Sequence, residues 1–95
     1  METISISSTD ILALAPYYRF QWEEAQQCYV LLFPEGMVKL NGGAGEVIKR
    51  VDGKKTVADV VQELKDAFPD VPDLEGDVLA MIKLALEKAW LAKAN

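Results

Sequence analysis

MVKLNGGAGEVIKRVDG, the stretch from Met37 to Gly53, contains the point where the hydrophobic period of the chain changes. Met37-Val38-Lys39-Leu40 reads as a short extended run. Beyond Asn41, apolar residues recur at Ala44, Val47, Ile48 and Val51, three and four positions apart, which puts them on one face of a helix. Asn41 suits the N-cap, because its side-chain oxygen can accept from a backbone amide that the first helical turn leaves unpaired. Asp52-Gly53 ends the helix, since glycine enters the left-handed conformation at little cost. A strand therefore gives way to a helix within a few residues.

Upstream of this point the period is two. Tyr18, Phe20 and Trp22 alternate with Tyr17, Arg19, Gln21 and Glu23, as in a half-buried strand. Glu23-Glu24-Ala25-Gln26 turns the chain. Gln27 to Phe33 is rich in β-formers and mostly apolar on both faces, which predicts a middle strand. Pro34-Glu35-Gly36 supplies the next turn, so Met37 to Leu40 becomes an edge strand. Residues 1–15 are expected to form a flexible N-terminal segment ahead of a single domain at 16–93. Met1 to Ser8 is polar and frays unless pinned. Thr9-Asp10 can cap a short helical turn over Ile11, Leu12 and Leu14, which Pro16 limits.

Downstream the period stays helical. Thr56-Val57-Ala58-Asp59 resembles a capping box, and Val57, Val60, Val61, Leu64 and Phe68 follow on one stripe. Pro69 and Pro72 bracket a loop. From about Asp73 a longer helix aligns Leu74, Val78, Met81, Ile82, Ala85, Ala89 and Trp90. Leu79, Leu84, Leu86 and Leu91 fall outside that stripe, although a surface helix of a small domain needs only one. The surplus has three outlets: a groove for a partner, packing on Ile11 to Leu14, or a second copy of the chain. The pattern is that of an α+β domain, a three-stranded antiparallel sheet followed by three helices.

With 95 residues, 51% of them apolar, the chain has material for one modest core. Ten Lys and Arg against 15 Asp and Glu give a formal charge of −5, which opposes binding to nucleic acid or anionic lipid. Histidine is absent and Cys28 is the single cysteine. A zinc site, a Cys/His dyad and an internal disulfide are thereby excluded. With no signal sequence and no apolar run long enough for a bilayer, the expected compartment is the cytoplasm. Gly42-Gly43-Ala44-Gly45 lacks the Lys-Ser/Thr ending of a phosphate loop. Asp70, Asp73, Glu75 and Asp77 fit the positive end of a helix dipole better than a calcium loop. Cys28 reads as packing, and Trp22 and Trp90 read as core residues.

Taken in order, Pro16-Tyr17-Tyr18-Arg19-Phe20, Leu32-Phe33-Pro34-Glu35-Gly36, Leu40-Asn41, Val51-Asp52-Gly53, Thr56-Val57-Ala58-Asp59-Val60-Val61 and Glu87-Lys88-Ala89-Trp90-Leu91 resemble the PqqD family. These are peptide chaperones of pyrroloquinoline quinone biosynthesis. The resemblance implies a winged-helix-like domain of the type called a RiPP recognition element, with no catalytic residue, metal or cofactor of its own. It further implies two partners, the precursor peptide PqqA and the radical S-adenosylmethionine enzyme PqqE. The peptide adds as a strand to the third strand, against the third helix. On this chain that places the edge at Met37, Val38, Lys39 and Leu40, and the floor among Val78, Met81, Ile82 and Ala85. Two other readings use the same elements. One is a winged-helix nucleic-acid binder, which the Asp59, Glu63 and Asp66 charges of the second helix oppose. The other is a structural homodimer pairing through the free edge.

Overall fold

The structure, a computed structural model, describes residues 5–94. Three strands, β2 (Arg19–Glu23), β3 (Cys28–Phe33) and β4 (Gly36–Lys39), form an antiparallel sheet in the order β2-β3-β4. Three helices follow: α1 (Gly42–Lys49), α2 (Val57–Ala67) and α3 (Leu74–Glu87). The α+β arrangement expected from the change of period is therefore the observed one.

Local chemistry explains the helix starts. The Asn41 side chain accepts from the Ala44 amide at 2.7 Å. Thr56 and Asp59 exchange bonds in a complete capping box, a device worth about 1 kcal/mol. Asp73 precedes α3 at a left-handed φ of 52° and makes no side-chain cap bond.

Alternation along the strands turns one sheet face toward α1, although Val30 on the other face is buried as well. Leu31 and Leu40 are buried there with Ala44 and Ile48 of α1, and Tyr18, Phe20, Tyr29 and Val38 pack around them. A second cluster joins α2 to α3 through Val57, Val60, Leu64, Val78 and Ile82. Met81 and Trp90 border both clusters.

The ends of the chain depart from the sequence reading. Residues 12–14 are not a helical turn but a strand, β1 (Leu12–Leu14), paired antiparallel with β5 (Leu91–Lys93). Ile11 bridges to Thr56, and Leu12 and Leu91 are 1% and 2% exposed. The core thus extends N-terminal of Pro16, where the domain was expected to begin. Of the stretch Met1 to Ser8 expected to fray unless pinned, the described part is pinned: Ile6 packs on the α2–α3 cluster and the Ser8 carbonyl accepts from the Ala58 amide at 3.0 Å, while residues 1–4 lie outside the described residues. At the other end α3 stops at Glu87, because Ala89 turns the chain at φ 61°. Trp90 consequently leads into β5 and does not close the α3 stripe. Trp90 still packs against the core, but Trp22 is no core residue: it is 45% exposed and its Nε1–H donates to Glu24 at 2.8 Å.

Candidate functional site

In an antiparallel pair, residues alternate between those that bond the partner strand and those whose amide and carbonyl point away. Leu40 donates its amide to the Tyr29 carbonyl at 3.0 Å. With Leu31 opposite Val38 and Phe33 opposite Gly36, the bonding positions are Gly36, Val38 and Leu40. Met37 and Lys39 therefore turn N–H and C=O toward the free side of β4, the far edge of the sheet. Their side chains are exposed as well. Val38 and Leu40 face inward in both respects, and Leu40 is 4% exposed.

At the Lys39 end of β4 the chain enters an open cleft of about 410 Å³. One wall is the α1 start, Asn41 to Ala44 with Val47. The opposite wall is the first half of α3, with Leu74, Asp77, Val78 and Met81. Leu64, Phe68 and Val71, from the end of α2 and the loop after it, close the third side. Phe68 and Val71 stand 39% and 43% exposed at its rim. A large, mainly apolar recess has been left unfilled, in the size range of small-ligand pockets.

Of the floor residues expected on α3, Val78 and Met81 line this cleft. Ile82 and Ala85 do not. Both are 0% exposed, because they lie on the face of α3 that packs into the core with Leu12 and Leu91. Part of the apolar surplus of α3 is absorbed in the same way: Leu79 and Leu86 pack against that cluster together with Ile6 and Leu14. Sequence periodicity missed the walls formed by Asn41 to Ala44 and by Phe68 and Val71. The available signal was Val71, an apolar residue between Pro69 and Pro72, with Phe68 just ahead of that loop.

The cleft holds no catalytic constellation. Asp10, Asp52 and Lys55, the groups with clearly displaced pKa among the described residues, do not line it. Amides of Lys55 and Lys54 hold the Asp52 carboxyl below its ordinary value, while the Glu63 carboxylate raises Lys55. The hydrogen bonds and the ion pair behind them fasten the α1–α2 turn. Among the described residues no group of three or more Cys, His, Asp or Glu is arranged to hold a metal. No helix among them is long and apolar enough to cross a membrane.

The family model described as Coenzyme PQQ synthesis protein D (PqqD) matches residues 28–91. A PqqA binding protein of Pseudomonas aeruginosa PAO1 is 51% identical over 74 residues, covering 78% of this chain and 80% of that protein. One from Acinetobacter baylyi is 44% identical over 90 residues, covering 90% and 91%. The solution NMR structure of the PqqD truncation of Methylobacterium extorquens PqqCD, described as a functional and stand-alone RiPP recognition element, is similar with a TM-score of 0.74. It is 31% identical, and the match covers 93% of this chain and 95% of that one. With a matching model over residues 28–91 and relatives near half identical along most of both sequences, the chain belongs to the PqqD family.

Proposed function

We propose that this protein is a peptide chaperone of pyrroloquinoline quinone biosynthesis, which binds the precursor PqqA as an added strand on β4 and presents it to PqqE in the cytoplasm. It is a recognition element and not an enzyme. The observation that carries the reading is the coincidence of two features in a PqqD-family chain. The outward backbone groups of Met37 and Lys39 lie on an edge that no other described strand pairs, and the chain leaving that edge at Asn41 forms a wall of the apolar cleft that Val78 and Met81 also line.

The energetics require both. About four strand-to-strand hydrogen bonds, at roughly 0.5–1.5 kcal/mol net each, give roughly 2–6 kcal/mol. Association alone costs about 4–15 kcal/mol. Apolar anchors worth about 1.5–3 kcal/mol each when buried supply the difference, and the cleft is where they fit. The acidic surface of α2, with Asp59 and Asp66 exposed, favours a peptide over a nucleic acid.

Titrating isotope-labelled protein with the precursor peptide should shift the amides of Met37, Lys39, Val78 and Met81 most. Shifts confined to the outer surface of α2 would remove the reading. Calorimetry with PqqE, before and after peptide is added, tests the presentation step. Sedimentation covers the homodimer, since a second copy can pair with the same edge; a dimer that persists and excludes peptide would favour it.

A further inference from the structure

We propose that the cleft at the Lys39 end of β4 holds a large aromatic side chain of the bound peptide, with a cationic peptide residue beside it that meets Asp77 at the rim. The inference rests on the peptide reading above and adds the chemistry that the peptide must carry.

Size sets the first requirement. An apolar cavity of about 150 Å³ already takes a benzene ring, whereas this cleft measures about 410 Å³. A single aliphatic side chain would leave most of it wet. The walls set the second. Val47, Leu64 and Val78 are buried at 2–3% exposure, so the bottom is dry hydrocarbon. Phe68 at the rim offers a ring for edge or face contact. Met81 offers a thioether that adapts to an aromatic edge.

Charge sets the third. The lining contains two carboxylates, Glu46 and Asp77, and no Lys or Arg. Arg50 already neutralises Glu46 at 2.7 Å. Asp77 has no ion-pair partner among the described residues, and its own amide is engaged with the Asp73 carbonyl at 3.2 Å. Nearby, Glu75 is taken by Lys65 at 2.8 Å. Among the side chains that line the cleft, the charge without an ion-pair partner is therefore Asp77, in the first turn of α3. A peptide cation supplies what the chain lacks there, and an acidic segment would be repelled.

The test uses the full-length protein and the synthetic precursor peptide, with each aromatic residue changed in turn to Ala and each Lys or Arg to Gln. One aromatic truncation should weaken binding about ten- to hundredfold. That penalty should shrink in Gly42→Leu, because a Cβ at Gly42 meets no atom within 4 Å and the added side chain has open space at the cleft wall. One Lys or Arg replacement should weaken binding about threefold, mainly through slower association and a flatter salt dependence. The same replacement should have no further effect on Asp77→Asn, the signature of a coupled pair. If every aromatic truncation costs less than about threefold, or if Asp77→Asn leaves association rate and salt dependence unchanged, the proposal is overturned. Failure of the unaltered protein to bind the unaltered peptide would instead overturn the peptide reading itself.

Discussion

The three-stranded sheet has an open edge on each side, and the two are backed differently. On β2 the register turns the amides and carbonyls of Phe20 and Trp22 outward, as β4 does with Met37 and Lys39. Beneath β2, however, the Phe20 ring stacks on Tyr29 at 4.7 Å between centroids. Trp22 meets the same Tyr29 ring edge-on at 4.9 Å, and α1 closes over it at Gly45, where an added Cβ would lie 2.8 Å from the ring. Past the end of β4 the chain instead enters, at Asn41, the wall of the open cleft. Backbone pairing is available on both sides. Among the described residues the recess that follows β4 is walled by buried Val47, Leu64 and Val78, whereas the one ahead of β2, at Tyr17, Tyr18, Phe33 and Pro34, is a surface hollow beside an exposed Tyr17, so an edge becomes a specific site through what lies next to it.

The strongest way to break this comparison is to block each edge in turn. Met37→Pro removes an amide that β3 does not use, so the sheet should survive. Peptide affinity should fall on the order of a hundredfold, about 3 kcal/mol, since a strand bond is lost and its partner is left unpaired. Trp22→Pro, the equivalent change on β2, should leave affinity within about threefold of the unaltered protein. Comparable losses from both, measured by calorimetry, would abolish the distinction between the edges.

Two glycines of α1 sharpen it. Gly45→Ala drives a methyl toward the Tyr29 ring and also approaches its Cβ at 3.3 Å. Overpacking of this kind costs about 1–3 kcal/mol, only partly offset by roughly 1 kcal/mol of helix propensity. A net loss of about 1 kcal/mol should lower the melting temperature by roughly 4–8 °C. Gly42→Ala meets nothing and should instead gain about 0.5 kcal/mol, mostly from a less flexible unfolded chain. Equal effects at the two positions would mean that the β2 side is no more tightly filled than the cleft side.

The same contrast explains what could be read from sequence. Asn41 and Thr56 announce α1 and α2 because a cap is a local interaction between residues three apart. The β2-β3-β4 meander is legible for a similar reason, since short turns and alternation over a few residues specify it. β1 and β5 are not legible in that way, because Leu12 pairs with Lys93 and nothing near either residue advertises the other. The end of α3 carries no glycine or proline signal; Ala89 adopts the left-handed turn that lets Trp90 and Leu91 reach β5. This distant pairing also decided the floor of the candidate site. Once Leu12 and Leu91 cover α3, Ile82 and Ala85 become core, and of the four expected floor residues Val78 and Met81 remain on the cleft.

The smallest expected effect separates that second sheet from the peptide edge. Lys93 joins β5 to the N-terminal segment by donating to the Ser5 carbonyl at 2.7 Å and pairing with Asp10 at 3.2 Å. The Ser7 amide, donating to Asp10 at 2.8 Å, and then Lys93 hold the Asp10 carboxyl below its ordinary value of 3.8. A carboxyl depressed by folding stabilises the folded state above the unfolded pKa, and that contribution disappears as pH falls through the lower folded value. Between pH 6 and about 4 the clasp should hold; below about 3.8 it should loosen. Amide exchange followed down this range should show Ala13 and Ala92 losing protection before Leu31 and Val38, whose ladder rests against the apolar core of Leu40 and Ile48. Lys93→Ala should bring that early loss up to neutral pH. If the two sheets lose protection together, Asp10 is not what fastens the ends, and the segment before β1 is held by its apolar contacts alone.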